Sequence, residues 1–255
     1  MARRRHSNRR RRGSFGFLYK LLSTLVICGV IVAALTLFFR VDTIVVTGEE
    51  KYTAEEIIAA TGVERGDNLF LLNKRDVDSS IKKALPYVED TRINKKLPDV
   101  LLVEIVKECR TPLAVVQDGS AWLVSARGMI VEQLPAAEAS ACGVIDGCKL
   151  LSPSVGTPIA LATEYASQQS DLLALLTALD EAGMLDQVDS IHLDDLSILS
   201  MDYAGRFRVE MPYHADYALK VKALRQTLEH ELVQDNMTGT IDLMQEEVYL
   251  RQNMG

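Results

Sequence analysis

Acidic side chains are absent from the first 41 residues, and Asp42 is the first to appear. Such a stretch is foreign to the rest of a chain that carries 35 Asp and Glu and a net charge of −7. Cysteine is equally sparse. Four residues, Cys28, Cys109, Cys142 and Cys148, exclude a disulfide framework. Cys142 and Cys148 are near enough in the chain to pair, but they read better as small apolar residues flanking a short strand at 143–147. No histidine stands beside them, which argues against a zinc site. Glycine-rich phosphate loops, low-complexity linkers and internal repeats are missing as well, which removes nucleotide-binding loops and solenoids from consideration.

The acid-free start is occupied instead by arginine and then by a long apolar run. Arg3, Arg4, Arg5, Arg9, Arg10, Arg11, Arg12 and Lys20 precede residues 21–39, LLSTLVICGVIVAALTLFF, which carry no charge. At about 1.5 Å per residue a helix of that length matches a bilayer's hydrocarbon core. Of the 28 Lys and Arg, eight lie in the first twenty residues, leaving 20 against all 35 acidic groups, a net of −15. Basic residues stay on the cytoplasmic side, so the expectation is a single-pass protein of type II, with its N-terminus inside and its acidic bulk outside the cell membrane. The tail, 1–20, fixes topology and suits anionic lipid headgroups. Nucleic acid is set aside because the arginines abut the membrane. A cleaved signal peptide has a shorter apolar stretch and a small-x-small site, for which only Val32-Ala33-Ala34 offers itself. A twin-arginine signal at 11–15 is what any arginine run yields by chance, and a lipoprotein site at Cys28 wants a small residue where Ile27 stands.

Beyond the anchor two textures follow. In 41–108 a β-branched run through Val41, Ile44 and Val46 ends at Gly48. A capping box, Thr53 with Glu56, opens a helix that Gly62 closes. Val77, Ile81 and Leu85 give a second helix, 76–85, stopped by Pro86. Strands at 91–95 and 100–107 flank a turn at Pro98-Asp99, so the order is β-α-α-β-β. Residues 110–252 shift to short strands at 113–117, 121–125 and 129–133, with turns at Asp118-Gly119 and Arg127-Gly128. Further strands are expected at 143–148, 188–193, 198–201 and 207–211, and at 240–243 and 247–251. Two helices cover them, one at 168–181 with Leu172, Leu175, Leu176 and Leu179 on one face, the other from an Asp216 N-cap to about 232. The class is α+β, the second domain a mostly antiparallel sheet.

Catalytic constellations were sought and set aside. Ser79-Ser80-Ile81-Lys82 has the S-x-x-K spacing of wall-synthesis acyltransferases, but it falls on a solvated helix face and lacks its partner motifs. Asp186, Asp189, His192, Asp194 and Asp195 crowd one segment, yet period-2 alternation turns His192 and Asp194 away from the core, as an ordinary solvated strand face. The sequon at Asn236-Met237-Thr238 reads as chance. No catalytic, cofactor or metal residue is expected.

Several segments together resemble the FtsQ/DivIB family of bacterial cell-division proteins. They are 41–48 (VDTIVVTG), 53–58 (TAEEII), 66–70 (GDNLF), 85–88 (LPYV), 97–99 (LPD), 108–114 (ECRTPLA), Gly128 and 239–243 (GTIDL). Each alone is a turn or a strand edge; their order and spacing behind one anchor carry the resemblance. Ser125 and Cys109 depart from the family pattern. The resemblance implies that 41–108 is a POTRA domain and 110–252 the family's β domain. It further implies a non-enzymatic scaffold at the division septum that needs no cofactor. Its partners would be DivIC/FtsB-like and FtsL-like bitopic proteins, with septal wall-synthesis enzymes engaged indirectly. The expected contact is strand addition at a terminal sheet edge formed by Thr240, Ile241, Asp242, Leu243, Val248, Tyr249, Leu250 and Arg251. Alternatives are a membrane-anchored wall enzyme, or a POTRA-type secretion or assembly factor, which would carry tandem units. Fold analogy alone suggests a second peptide site in the small domain.

Overall fold

The structure, a computed structural model, describes residues 15–48, 51–110, 112–230, 233–234, 236–245 and 247–252. Arg3, Arg4, Arg5, Arg9, Arg10, Arg11 and Arg12 lie outside the described residues; Lys20 is exposed on the first helix.

Helix α1 spans Phe15–Phe38, starting six residues earlier than the apolar run. Charge loss marks where a span enters hydrocarbon, not where its backbone begins to coil, so the helix continues outward through Phe17, Tyr19 and Lys20. Its 24 residues reach about 36 Å, and large apolar side chains such as Leu25 stand exposed all round it. One N-terminal helix with such a surface fits a single-pass membrane anchor.

The chain passes from α1 into a three-stranded sheet with almost no linker. Strand β1 (Thr43–Thr47) runs parallel to β3 (Val100–Glu108), which pairs antiparallel with β2 (Val88–Lys96), giving the order β1-β3-β2. Helices α2 (Ala54–Ala60) and α3 (Lys74–Ala84) complete a β-α-α-β-β unit. Thr53 and Glu56 form the reciprocal capping box the sequence specifies. The second helix begins two residues earlier than its apolar pattern, because Asn73 accepts from the Arg75 N–H and caps it there. Ile57, Leu69, Ile81, Leu101 and Val103 fill the core between helices and sheet.

The larger unit is a nine-stranded sheet. Its strands are β4 (Leu113–Gln117), β5 (Ser120–Val124), β6 (Ile130–Pro135), β7 (Val144–Asp146), β8 (Val188–His192), β9 (Ile198–Tyr203), β10 (Phe207–Pro212), β11 (Gly239–Asp242) and β12 (Tyr249–Gln252). The spatial order is β12-β11-β10-β9-β8-β7-β4-β5-β6, antiparallel except at β4–β7, β7–β8 and β10–β11. The hairpin turn at Asp118-Gly119 takes positive φ at both central residues, the geometry that matches strand twist.

Helices α4 (Ala166–Glu181) and α5 (Tyr217–Leu228) pack on this sheet. Leu172, Leu175, Leu176 and Leu179 are fully buried, as their spacing predicts. Asp216 caps α5 through the Leu219 N–H, and the helix ends at Leu228 rather than near 232; residues 231–232 lie outside the described residues. The Tyr217 hydroxyl on α5 donates to Asp171 on α4 at 2.7 Å and ties the two helices, while Gln168 Nε2 on α4 donates to the carbonyl of Leu193, just after β8, at 2.9 Å. Cys142 and Cys148 pack against different apolar clusters.

A polar seam joins the two units. A bulge in β2 between Val88 and Thr91 re-aims Glu89 out of the ladder, and its side chain is almost completely buried. Glu89 Oε2 lies 3.4 Å from Lys107 Nζ and 3.7 Å from Arg127 Nε, while Lys107 also bonds Asp180 on α4. The Arg127 guanidinium donates to the Glu89 carbonyl at 3.1 Å, and the Tyr87 hydroxyl donates to Glu132 on β6. A cavity of about 260 Å³ sits within the seam, lined by Glu89, Lys107, Glu108 and Asp180. Removing Lys107 strands a buried carboxylate, whereas the exposed Arg92–Glu104 pair can be lost cheaply. Lys107→Met should therefore cost about 2 kcal/mol in denaturant unfolding of the detergent-held chain, discounted for its partial exposure. Arg92→Met should cost less than about 0.5 kcal/mol. Equal costs would mean that the seam does not hold the units together.

Candidate partner-binding edge

A sheet of nine strands has two edges, and they are finished differently. At β6 the loop after Gly147 folds back: the Ile130 N–H donates to the Thr157 carbonyl, and the Gly156 N–H donates to the Ile130 carbonyl. A 3-10 turn at Ala136–Ala141 packs beside it. At the other edge β12 pairs only with β11, with Thr240 opposite Arg251, Ile241 opposite Leu250, and Asp242 opposite Tyr249. Among the described residues no backbone group meets the outer side of β12.

The residues expected at the terminal edge thus separate. Thr240, Ile241 and Asp242 belong to β11, an interior strand between β10 and β12, and Leu243 follows it fully buried. They support the edge from behind rather than forming it. Tyr249, Leu250 and Arg251 are on the outer strand, and Val248 immediately precedes it. Alternation turns Val248 and Leu250 toward the core and leaves Tyr249 half exposed. Arg251 Nη2 donates to Asp242 Oδ2 at 2.7 Å, and the Tyr249 hydroxyl donates to Glu247 at 2.6 Å. That bond to a carboxylate holds the Tyr249 hydroxyl above its ordinary pKa, so it stays a neutral donor at the edge. Gly239 is what lets the two strands close: a Cβ there would stand 2.2 Å from the Arg251 carbonyl oxygen.

Sequence reading missed the flank of this edge. Ala223, Gln226, Thr227 and His230 at the end of α5, with Val233, face Val248 and Leu250 across a mainly apolar groove of about 420 Å³. The helix pattern carries part of that signal, since Ala223 and Thr227 are four apart. Nothing in the sequence says that α5 lies beside β12. An extended partner strand laid on β12 would have this groove next to it for apolar side chains.

The remaining candidates resolve as structural groups. Lys82 is held by Asp78 at 3.0 Å and Asp90 at 3.7 Å, and Ser79 is exposed on α3. In the acidic segment, Asp146, His192 and Asp194 bring possible ligand atoms within 4.8 Å of one another. Both imidazole nitrogens are already engaged, however. Nδ1 meets Asp146 Oδ1 at 2.7 Å, and Nε2 meets Asp202 Oδ2 at 2.9 Å, with Ser190 also donating to Asp202. Two acceptors on one ring call for a doubly protonated imidazolium, which makes a cross-strand ion triad over β7, β8 and β9.

Burial alone would lower the pKa of His192, but the hydrogen bonds and charges of Asp202 and Asp146 outweigh it and raise the value above 6.5. A raised folded pKa gives stabilisation that is complete below the unfolded value and fades as pH climbs through the folded one. The stability difference between the wild-type chain and His192→Gln should be largest below about pH 6.5 and shrink at higher pH. Thermal melts across that range check it; a difference that grows with pH would contradict the triad.

The β-α-α-β-β unit behind one apolar N-terminal helix has the layout of a POTRA domain. The family described as "POTRA domain, FtsQ-type" matches residues 39–107. The chain is 27% identical over 192 residues to "Cell division protein FtsQ" of Syntrophotalea carbinolica, covering 74% of this chain and 65% of that protein. It is 26% identical over 209 residues to the FtsQ of Geotalea daltonii, covering 82% and 74% of the two chains. To "Cell division protein DivIB" of Clostridium tetani it is 27% identical over 167 residues, 65% and 61% of the two. The resemblance to FtsQ/DivIB read from the sequence is thus borne out over most of the chain.

Proposed function

We propose that this chain is a non-enzymatic scaffold of the bacterial division machinery. In this reading α1 holds it in the cell membrane with the Arg tail inside, and the two folded units stand outside at the septum. Its relatives are named as cell-division proteins, which supports the division role. Partners of the DivIC/FtsB and FtsL kind would dock by adding a strand to β12, thereby recruiting and regulating septal wall synthesis.

One observation carries the contact: β12 ends the sheet with its outer side open, beside an apolar groove. An unpaired strand edge is an aggregation hazard unless something covers it, and a partner strand would satisfy its N–H and C=O groups. Val248 and Leu250 would then form the floor shared with the partner's apolar side chains. Arg251, held by Asp242, and Tyr249 present the other face of the strand.

Gly239 and Leu243 donate toward β10, which leaves Asp242 facing Tyr249 and turns the N–H groups of Val248 and Leu250 outward, so proline at Val248 removes a donor from the open edge. Co-purification of a DivIC- or FtsB-like partner with Val248→Pro should fall by about tenfold, a loss of roughly 1.4 kcal/mol, while circular dichroism stays native. Undiminished capture by the folded variant would rule out strand addition at β12. Fluorescence of an N-terminally tagged copy at midcell, with septum-less filaments on depletion, tests the division role separately.

A further inference from the structure

The end of the POTRA unit that receives α1 carries a group of exposed apolar side chains. Phe70 and Leu71 stand 59% and 74% exposed on the loop between α2 and α3, and Leu97 stands 57% exposed on the β2–β3 turn. Large apolar side chains grouped in the open mark a contact surface. All three lie at the mouth of the anchor. Asn68 Nδ2 donates to the Leu35 and Thr36 carbonyls at the end of α1, and the Leu69 N–H donates to the Phe39 carbonyl. The Phe39 and Phe70 rings are 6.2 Å apart. On the other side, the Asp42 N–H donates to the Asp99 carbonyl at 2.9 Å, which brings the β2–β3 turn to the same junction. The junction therefore has no free linker that would let the unit swing away from the bilayer.

Charge at this end departs from the acidic remainder. Arg40, Lys74 and Lys96 are exposed, and none of them is ion-paired among the described residues. Lys95 donates to the Phe70 and Leu72 carbonyls and so holds the apolar loop in place. Its burial, and then the nearby Lys74 charge, lower its pKa. Of the carboxylates here, Asp67 accepts from the Glu64 N–H and Asp76 from the Asn73 amide. Both are turned onto their own loop, while Asp42 and Asp99 flank the turn.

We propose that this end is a membrane-docking surface: Phe70, Leu71 and Leu97 enter the headgroup region of the outer leaflet while Arg40, Lys74, Lys95 and Lys96 meet anionic lipid headgroups. The inference rests on α1 being a membrane span. The two features complement one another, because apolar side chains seat in the interface while cations remain at headgroup level. Docking fixes the tilt of the POTRA unit, and through the seam it fixes the direction in which β12 faces.

The test uses the full chain in nanodiscs containing anionic lipid, with acyl chains brominated near the headgroup as quencher. Tryptophan is placed at Phe70, at Leu196 in an exposed β-domain loop, or at Leu25 in α1, against a Trp122→Phe background. Phe70→Trp should be quenched about threefold more than Leu196→Trp, and adding Lys74→Glu with Lys96→Glu should bring it down to the control level. Quenching at 70 equal to that at 196, with position 25 quenched, would overturn the docking surface and leave the anchor intact. A blue-shifted but unquenched tryptophan at 70 would place it against protein and overturn the proposal too. Undiminished quenching in purely zwitterionic nanodiscs would overturn the role given to the four cations. An unquenched tryptophan at 25 would overturn anchor and docking surface together.

Discussion

Every backbone N–H and C=O in a sheet needs a partner, and an open sheet must stop somewhere. That constraint governs this molecule. At β6 the chain meets it internally at the start of the strand, where the 152–158 loop folds back onto Ile130, and a 3-10 turn packs beside the rest. At β12 none of the described residues meets it, and the outer side is instead set next to an apolar groove built by α5. The terminal strand is short, four residues, which limits the hazard of an open edge while leaving enough of a ladder to nucleate another strand.

The support behind that edge runs a long way into the structure. β12 rests on β11, which approaches so closely that position 239 tolerates only glycine. β11 rests on β10 by parallel pairing, and α5 leaves β10 through Tyr213 and the Asp216 cap. Asp171 on α4 takes the Tyr217 hydroxyl, so the helix forming one wall of the groove is fixed to the helix at the centre of the core. The same α4 supplies Asp180 to the seam with the POTRA unit. A rigid path therefore connects the anchor junction, the seam, α4, α5 and the outer strand. Geometry set at the membrane end is preserved at β12, because packed elements along the path have little room to deform.

Much of this was legible in the sequence because it is local. The capping box at Thr53 and Glu56, the Asp118-Gly119 turn, the Asp216 cap and the leucine stripe of α4 each depend on residues a few positions apart. The α+β class and the β-α-α-β-β order followed from them. Helix ends were less legible where the stop signal is weak: α5 has no glycine or proline after Leu228, and its pattern runs on without punctuation. Illegible altogether were pairings made by remote segments. His192 appeared as one member of an acidic run, whereas its partners are Asp146 and Asp202 on neighbouring strands, 46 and 10 residues away. Strand order was the same kind of blank. Residue pattern marked 240–243 and 247–251 as strands, but only the sheet shows that the first is interior and the second is the edge.

The seam is where these two kinds of information meet. Period-2 alternation along β2 puts Glu89 on the face of Ile93, but nothing local says that remote cations would meet a carboxylate there. The bulge between Val88 and Thr91 takes it out of register and drives its carboxylate between the two units, where Lys107 and Arg127 converge on it. A buried carboxylate contributes little net stability against an apolar side chain of similar size. What it does supply is orientation, because cations from different units, Lys107 and Arg127, approach it together at 3.4 and 3.7 Å. Apolar packing of Tyr87, Leu123 and Val131 across the same interface is less selective about angle and supplies the adhesion. Adhesion from the apolar cluster and direction from the charge cluster together join the two units between the anchor-like helix and the outer strand.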